Sequence, residues 1–150
     1  MSPATFFRRF PEGEYEVEGI TLDGQTIEGE VELSHIMPAP PSNLEVSGHA
    51  APEDCDEDPI PVIRGPVDIS WDAVTSSHPD IGKSGDIDIV EYEVVVENEE
   101  LVFSVRLLPS VTSVEIPAAF IEQADEFSVE ILVTAANGNR TATESCFEVD

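Results

Sequence analysis

Short runs in which apolar and polar residues alternate recur along this chain of 150 residues, and they constrain its fold more than any other feature. Two clear runs, at 127–135 and 141–149, flank the turn residues Asn137-Gly138-Asn139. Alternation with a period of two is typical of a strand with one buried face, and an Asn-Gly pair between such runs is typical of a tight hairpin turn. Beyond one short turn at 118–124, no stretch of useful length has helical periodicity. The sequence therefore predicts an all-β protein.

The spacing of these runs predicts the architecture. From residue 66 onward, turn residues recur about every 8–12 residues, as they do in β-sandwiches. The stretch 48–65 has no regular pattern, and loops of such length in compact domains are usually functional or disordered. We expect further strands at 44–47, 67–71, 89–97, 101–107 and 111–116, and a polar loop at 75–86.

A separate alternating pattern lies near the N-terminus, at 15–36. Apolar residues alternate with glutamates in two runs that flank Asp23-Gly24, a strong hairpin signal. Such alternation predicts that one face packs while the other is hydrated. Because a lone hairpin is marginal in water, we expect it to pack on a neighbouring domain. It either extends a sheet of the sandwich or pairs with an upstream domain or a partner, and self-association through it is one outcome.

Prolines mark the join between the hairpin and the rest of the chain. Pro38, Pro40 and Pro41 cannot donate ladder hydrogen bonds and favour an extended backbone. We read this segment as a stiff linker or as the lead-in to a first edge strand. The predicted organisation is an N-terminal hairpin extension with its linker at 1–41, followed by a β-sandwich at 42–150.

Acidic residues outnumber basic ones by 32 to 6, which gives a net charge of −26. This charge repels the phosphates of nucleic acids and of anionic membranes, so neither is an expected partner. Three explanations stay open: a hydrated surface adapted to salt, binding of divalent cations, or a cationic protein or polymer partner. The apolar fraction of 41% argues against disorder. Apolar runs are too short for membrane insertion.

The two cysteines, Cys55 and Cys146, belong to no CxxC pair, which argues against a zinc site. An even number of cysteines in an acidic β protein suits one disulfide in an oxidising compartment. The first ten residues lack the apolar core of about 7–15 residues that a signal peptide needs. We therefore expect a piece of a longer exported protein, extracellular or periplasmic. The alternative is a whole cytosolic protein of a salt-accumulating organism with reduced thiols.

Several motifs of 42–150 resemble the fibronectin type III family, and in particular its bacterial members. They are a strand that ends in Trp71, a valine-rich strand that contains Tyr92, the segment Ile116-Pro117-Ala118-Ala119-Phe120-Ile121, and the closing pair of strands. The resemblance implies an immunoglobulin-like β-sandwich with a core that includes Trp71, Tyr92, Phe127 and Phe147. Phe127 departs from the family pattern, which often has a tyrosine there. No Arg-Gly-Asp sequence is present.

The resemblance also implies where the cysteines lie. With the family's strands named A, B, C, C′, E, F and G, Cys55 falls in the A–B loop and Cys146 near the end of G, at the same pole of the sandwich. If Phe147 points inward, Cys146 points outward and the loop wraps over the outside of strand G. We predict a disulfide between them, the alternative being two unpaired thiols.

The family's usual recognition sites are the B–C and F–G loops. In this chain those loops contain Asp80, Asp86 and Asp88, and Asn137, Gly138 and Asn139. The glycine also has a structural explanation, since a tight turn needs its positive φ. We expect this pole to be the one that meets a partner.

The acidic loop 53–58 offers a second kind of site. Asp54, Asp56 and Asp58 are spaced like the opening of an EF-hand, but Pro59 and Gly65 stand where that motif needs glycine and glutamate. The run is either a loose Ca²⁺ site, the one cofactor considered, or a solvated charge run. Histidines and serines fall in no catalytic motif. We predict a non-catalytic module of an exported bacterial protein, a spacer or an interaction and adhesion module for a protein or polysaccharide. The alternative is a Ca²⁺-dependent adhesion or carbohydrate-binding module.

Overall fold

A computed structural model describes residues 1–56 and 58–150. Strands make up 53% of the structure and helices 7%, which confirms the all-β prediction. None of the helices in the described residues is long and apolar enough to span a membrane. The elements, in chain order, are α1 (Pro3–Arg9), β1 (Gly13–Ile20), β2 (Thr26–Leu33), β3 (Ile36–Pro38), β4 (Ser42–Val46), β5 (His49–Ala50), β6 (Val62–Ile63), β7 (Val67–Asp72), β8 (Ser77–Gly82), β9 (Ile89–Glu97), β10 (Val102–Leu107), β11 (Ser113–Ile116), α2 (Ala118–Ile121), β12 (Glu126–Ala135) and β13 (Arg140–Val149).

Two sheets form a β-sandwich. One has the strand order β10-β9-β12-β13-β6 and the other has the order β11-β7-β4-β5. Alternate residues of the central strands are buried, as a period of two requires when one face of each sheet meets the other. The shared core contains Trp71, Tyr92, Phe127 and Phe147, together with valines and isoleucines of β4, β7, β9 and β12.

Aromatic rings fill both ends of this core. Trp71 packs edge-on against Tyr92, whose hydroxyl oxygen accepts a hydrogen bond from the Val74 amide at 2.8 Å. At the other end Phe127 stacks on Phe147 and also contacts Phe120. Phe127 thus contributes through ring packing alone, because it lacks the hydroxyl that a tyrosine would have in its place.

One sequence prediction is corrected by pairing that is distant in sequence. The predicted polar loop at 75–86 contains β8, which pairs with β3 from the proline-rich join. Short strands of mixed polarity carry little periodic signal, so only the partner strand reveals them. The helix α1 also has no periodic signal because it has only seven residues; Pro3 begins it and the Ser2 hydroxyl accepts from the Thr5 amide.

A row of hydroxyl groups on β13 holds the proline-rich segment against the sandwich. The hydroxyls of Thr141, Thr143 and Ser145 donate to the carbonyls of Pro38, Pro41 and Pro52 at 3.1, 2.5 and 2.6 Å. These three residues alternate along one strand and so share one face. A proline has no N–H to donate, but its carbonyl still accepts hydrogen bonds. Here the donors are side-chain hydroxyls. These hydrogen bonds join residues on the two sides of the predicted domain boundary between 41 and 42. The division of the chain at that position stays a prediction.

The predicted disulfide between Cys55 and Cys146 is confirmed, with Cα atoms 6.1 Å apart. Phe147 is buried and Cys146 is half-buried on the opposite, outer side of β13. After the disulfide the loop continues along β13, where β6 pairs with it in parallel through Val62 and Glu148. The loop therefore wraps the outside of the last strand, as the alternation of Cys146 and Phe147 predicted.

Candidate interaction surface

The N-terminal hairpin is exposed at nearly every position of its two strands, and its root is anchored at a buried histidine. His35 is 8% exposed, and its Nε2 donates to the Phe10 carbonyl at 2.7 Å. Its backbone N–H donates to Glu12 Oε1 at 2.8 Å, and the Lys83 amide donates to the His35 carbonyl at 2.9 Å. Lys83 also forms an ion pair with Glu12. The hairpin thus leaves the sandwich at a defined point.

The hairpin itself matches its prediction. Strands β1 and β2 pair antiparallel over their whole length, and Gly24 takes a φ of +84° in the turn that joins them. That φ lies in the left-handed region, which glycine adopts without steric cost. Directly opposed residues share a face, so the register divides the side chains of the hairpin into two sets.

The first set forms an apolar face, defined by Tyr15, Val17, Ile27 and Val31. Val17, Ile27 and Val31 are 54–60% exposed, which is unusual for β-branched side chains in the middle of a sheet. Among the described residues this face therefore does not pack on the sandwich, and the expectation that it packs on an upstream domain or a partner stays a prediction. The hairpin is held at its root, and its apolar face stays open to solvent.

The second set forms a glutamate face. Glu14 lies opposite Glu32, Glu16 opposite Glu30 and Glu18 opposite Glu28, so three like-charged pairs stand side by side. Like charges in directly opposed positions destabilise a sheet. The ion pairs found among residues 1–56 and 58–150 involve other carboxylates. The isolated hairpin therefore has an electrostatic cost that its own chain leaves uncompensated.

The predicted F–G recognition residues mostly serve the fold. The Asn137 side-chain amide donates to the Ile36 carbonyl at 2.8 Å, and the Asn139 amide donates to the Ser34 carbonyl at 2.8 Å. Gly138 occupies the turn with a φ of +84°. Both asparagines thus hold the chain where it enters the sandwich from the hairpin, which limits their freedom to contact a ligand.

The predicted B–C aspartates are split by this geometry. Asp80 lies within β8, and its backbone N–H donates to His78 Nδ1 at 3.0 Å. Asp88 lies beside the F–G turn, because its carbonyl accepts from the Ala136 amide at 2.8 Å. Asp86 lies between them on an exposed stretch. The structure therefore brings Asp88, but not a compact cluster of all six residues, to the F–G turn.

The acidic loop is partly organised by its own carboxylates. Asp54 Oδ1 accepts from the Asp56 amide at 2.9 Å, and Asp58 Oδ2 accepts from the Asp54 amide at 3.2 Å. Glu57, within the predicted loop 53–58, lies outside the described residues. Among the described residues, those of this loop included, no group of three or more His, Cys, Asp or Glu side chains is arranged as a metal site. The calcium hypothesis stays a prediction.

The loop and the outer face of the larger sheet enclose an acidic groove that the sequence reading did not single out. The groove has a volume of about 450 Å³ and is lined by Glu53, Asp54, Glu97, Glu130 and Glu144 beside the disulfide. Burial raises the pKa of the Glu130 carboxyl, and the carboxylates of Glu144 and Glu97 raise it further. The sequence contains a signal for this groove, because outward positions of the three neighbouring strands β9, β12 and β13 are glutamates. Only the register of the strands shows that these glutamates lie side by side.

A salt bridge compensates the acidic sheet nearby. Arg140 Nη2 lies 2.7 Å from Glu93 Oε2, and Ser104 donates to the other oxygen at 2.9 Å. These bonds lower the pKa of the Glu93 carboxyl, Arg140 having the largest effect. The sheet thus carries Glu93 in an ion pair with Arg140 and, further along the same face, the pair of Glu130 and Glu144, which forms no ion pair among the described residues.

Replacing Glu130 by glutamine is expected to raise the free energy of unfolding at pH 7 by up to about 1 kcal/mol, the range for directly opposed like charges. Glu130 lies opposite Glu144. Because its folded pKa is raised, stability is lost as pH rises from the unfolded value through the folded pKa. The gain should therefore vanish at a pH well below the ordinary glutamate pKa of about 4.3, where the Glu130 carboxyl is protonated in both the folded and the unfolded chain. Urea unfolding at the two pH values measures it.

The matched control for this substitution is Glu45→Gln, at an exposed position on the smaller sheet that lies opposite the uncharged residues Ala50 and Ser70. It should leave stability within about 0.5 kcal/mol at both pH values. A Glu130→Gln variant that is less stable than wild type at pH 7 contradicts the argument from repulsion.

In comparisons with known proteins, no protein-family model matches this chain. A search of curated proteins likewise finds no match. The fold and its surfaces define the class to which the chain belongs: a disulfide-linked β-sandwich protein with a projecting acidic hairpin.

Proposed function

We propose that this chain is a non-catalytic, fibronectin type III-like interaction module of an exported bacterial protein. In this view the sandwich is a rigid support, and the hairpin is the part that meets another protein. The observation that carries the proposal is the combination of a well-packed, disulfide-linked sandwich with an anchored hairpin whose apolar face is exposed.

The strand order supports the fold assignment within this proposal. Strands β4, β7 and β11 would be A, B and E, and they neighbour one another in the order E-B-A. Strands β10, β9, β12 and β13 would be C′, C, F and G, and they neighbour one another in that order. Immunoglobulin-like sandwiches divide their strands between two sheets in this way.

The buried polar groups support a role without catalysis. His35 and Ser145 are the buried polar residues of the described chain. Each donates a hydrogen bond to a backbone carbonyl of a distant segment, so each bond joins two parts of the fold. Catalytic side chains need a substrate within reach, whereas these two face the interior of the fold. A protein partner is favoured over a polysaccharide because the hairpin edges offer main-chain hydrogen bonds to a further strand.

The disulfide supports export, since such bonds persist in oxidising compartments. The test expresses the chain in a bacterial cytosol and, behind an export signal, in the periplasm, and then titrates free thiols in denaturant. We expect no free thiol in the exported chain and amide-exchange protection along β7, β9, β12 and β13. Two free thiols in an exported chain that is folded and fully protected would overturn the proposal of an exported module.

A further inference from the structure

We propose that the hairpin formed by β1 and β2 captures a basic, extended segment of a partner protein, which adds to it as a third strand. This inference rests on the proposed interaction function and names the chemistry of the partner. The occupant has basic residues alternating with apolar ones, so that its two faces match the two faces of the hairpin.

The first support is the unsatisfied backbone. Within the described chain, β1 and β2 pair only with each other, so each presents a free edge. A free edge is a row of N–H and C=O groups ready to pair with another strand. The strands have eight residues each, which corresponds to an edge of roughly 26 Å and a segment of similar length.

The second support is the exposed apolar face. Val17, Ile27 and Val31 are each more than half exposed. Between them lie Gly19 and Gly29, with nothing within 4 Å of where a Cβ would stand. A strand added at either edge places alternate side chains beside this face, where apolar residues are favoured because they remove valine and isoleucine surface from water.

Charge complementarity identifies the occupant. The other alternate side chains of an added strand fall beside the glutamate face, whose three opposed pairs lack a cation in the described structure. Lysine or arginine there converts repulsion into cross-strand attraction. A second copy of this chain would instead bring six more glutamates to the same face, and each copy carries a net charge of −26. The geometry therefore favours a basic partner over self-association.

The test measures binding of a labelled eight-residue peptide, in which lysine and valine alternate, to the full chain by fluorescence anisotropy at low salt. The charge variant is Glu16→Gln, Glu18→Gln, Glu28→Gln and Glu30→Gln together. We expect it to weaken binding about tenfold, because it removes the carboxylates that would face the lysines of the added strand. The matched control removes four exposed glutamates elsewhere, at Glu99, Glu100, Glu115 and Glu122, and should stay within about twofold of wild type.

A second peptide separates strand addition from general charge attraction. It has the same sequence with alternate amide nitrogens methylated, which keeps every charge and removes the donors on one edge. Binding by the unmodified peptide alone supports the proposal. Equal binding of both peptides, equal binding by the charge variant, or a hairpin-mediated dimer in sedimentation of the chain alone would each overturn it. These readouts are independent of the thiol titration, so the proposed export and this inference fail separately.

Discussion

Replacing Cys55 and Cys146 together by serine is expected to lower the free energy of unfolding by about 4 kcal/mol. The bond joins residues separated by 91 positions, and a closed loop of that size removes much of the entropy of the unfolded chain. It also fixes the start of a loop that later adds β6 to the edge of β13. Urea denaturation followed by fluorescence of Trp71, compared at equal pH and salt, measures the loss.

Reduction provides the matched control. Wild-type protein in excess reductant should unfold at the same urea concentration as the serine variant, and reductant should leave the variant unchanged. An equal midpoint for oxidised and reduced wild type would contradict the prediction. It would mean that the covalent link does not restrict the unfolded chain to the extent that the loop-entropy argument requires.

Replacing Phe147 by alanine is expected to lower the free energy of unfolding by about 3–5 kcal/mol, the usual range for a buried phenylalanine. Phe147 is 1% exposed and stacks on Phe127 with ring centroids 5.3 Å apart. Removing it leaves a cavity at the end of the core where Phe127 and Phe120 also pack. The same urea experiment, with the disulfide intact, measures the effect.

Leu108 is the matched control for this substitution, because it is also a large apolar side chain but is 71% exposed. Leu108→Ala should change the free energy of unfolding by less than about 0.5 kcal/mol. Similar losses for the two variants would show that position in the core does not decide the cost. A folded Phe147→Leu variant keeps the test informative if the alanine variant fails to fold.

Local pattern was enough to predict the long strands. The runs that became β9, β12 and β13 alternate over nine or ten residues, and a period of two repeated that often has no helical explanation. The N-terminal hairpin could be predicted for the same reason, because its strands alternate and Asp23-Gly24 marks the turn between them. The position of Cys146 on the outer side of β13 followed from alternation with Phe147.

The short elements could not be predicted, because their structure depends on partners far along the chain. Strands β3 and β8 have three and six residues and pair across about forty positions. The roles of Asn137 and Asn139 show the same limit. Their amides looked free for recognition in the sequence, yet they bond to carbonyls at 34 and 36 that only the folded chain brings near.

For this protein, residue order alone set the periodicity, the turns and the separation of charged from apolar side chains along each strand, since these depend on neighbours one to four positions away. Which faces are covered depended on contacts between segments. The apolar side chains of the sandwich strands became its core, whereas those of the hairpin, with the same alternation, stayed exposed. The difference arises because burial requires a second surface in the right place, and for the hairpin the described chain supplies only an anchor at His35.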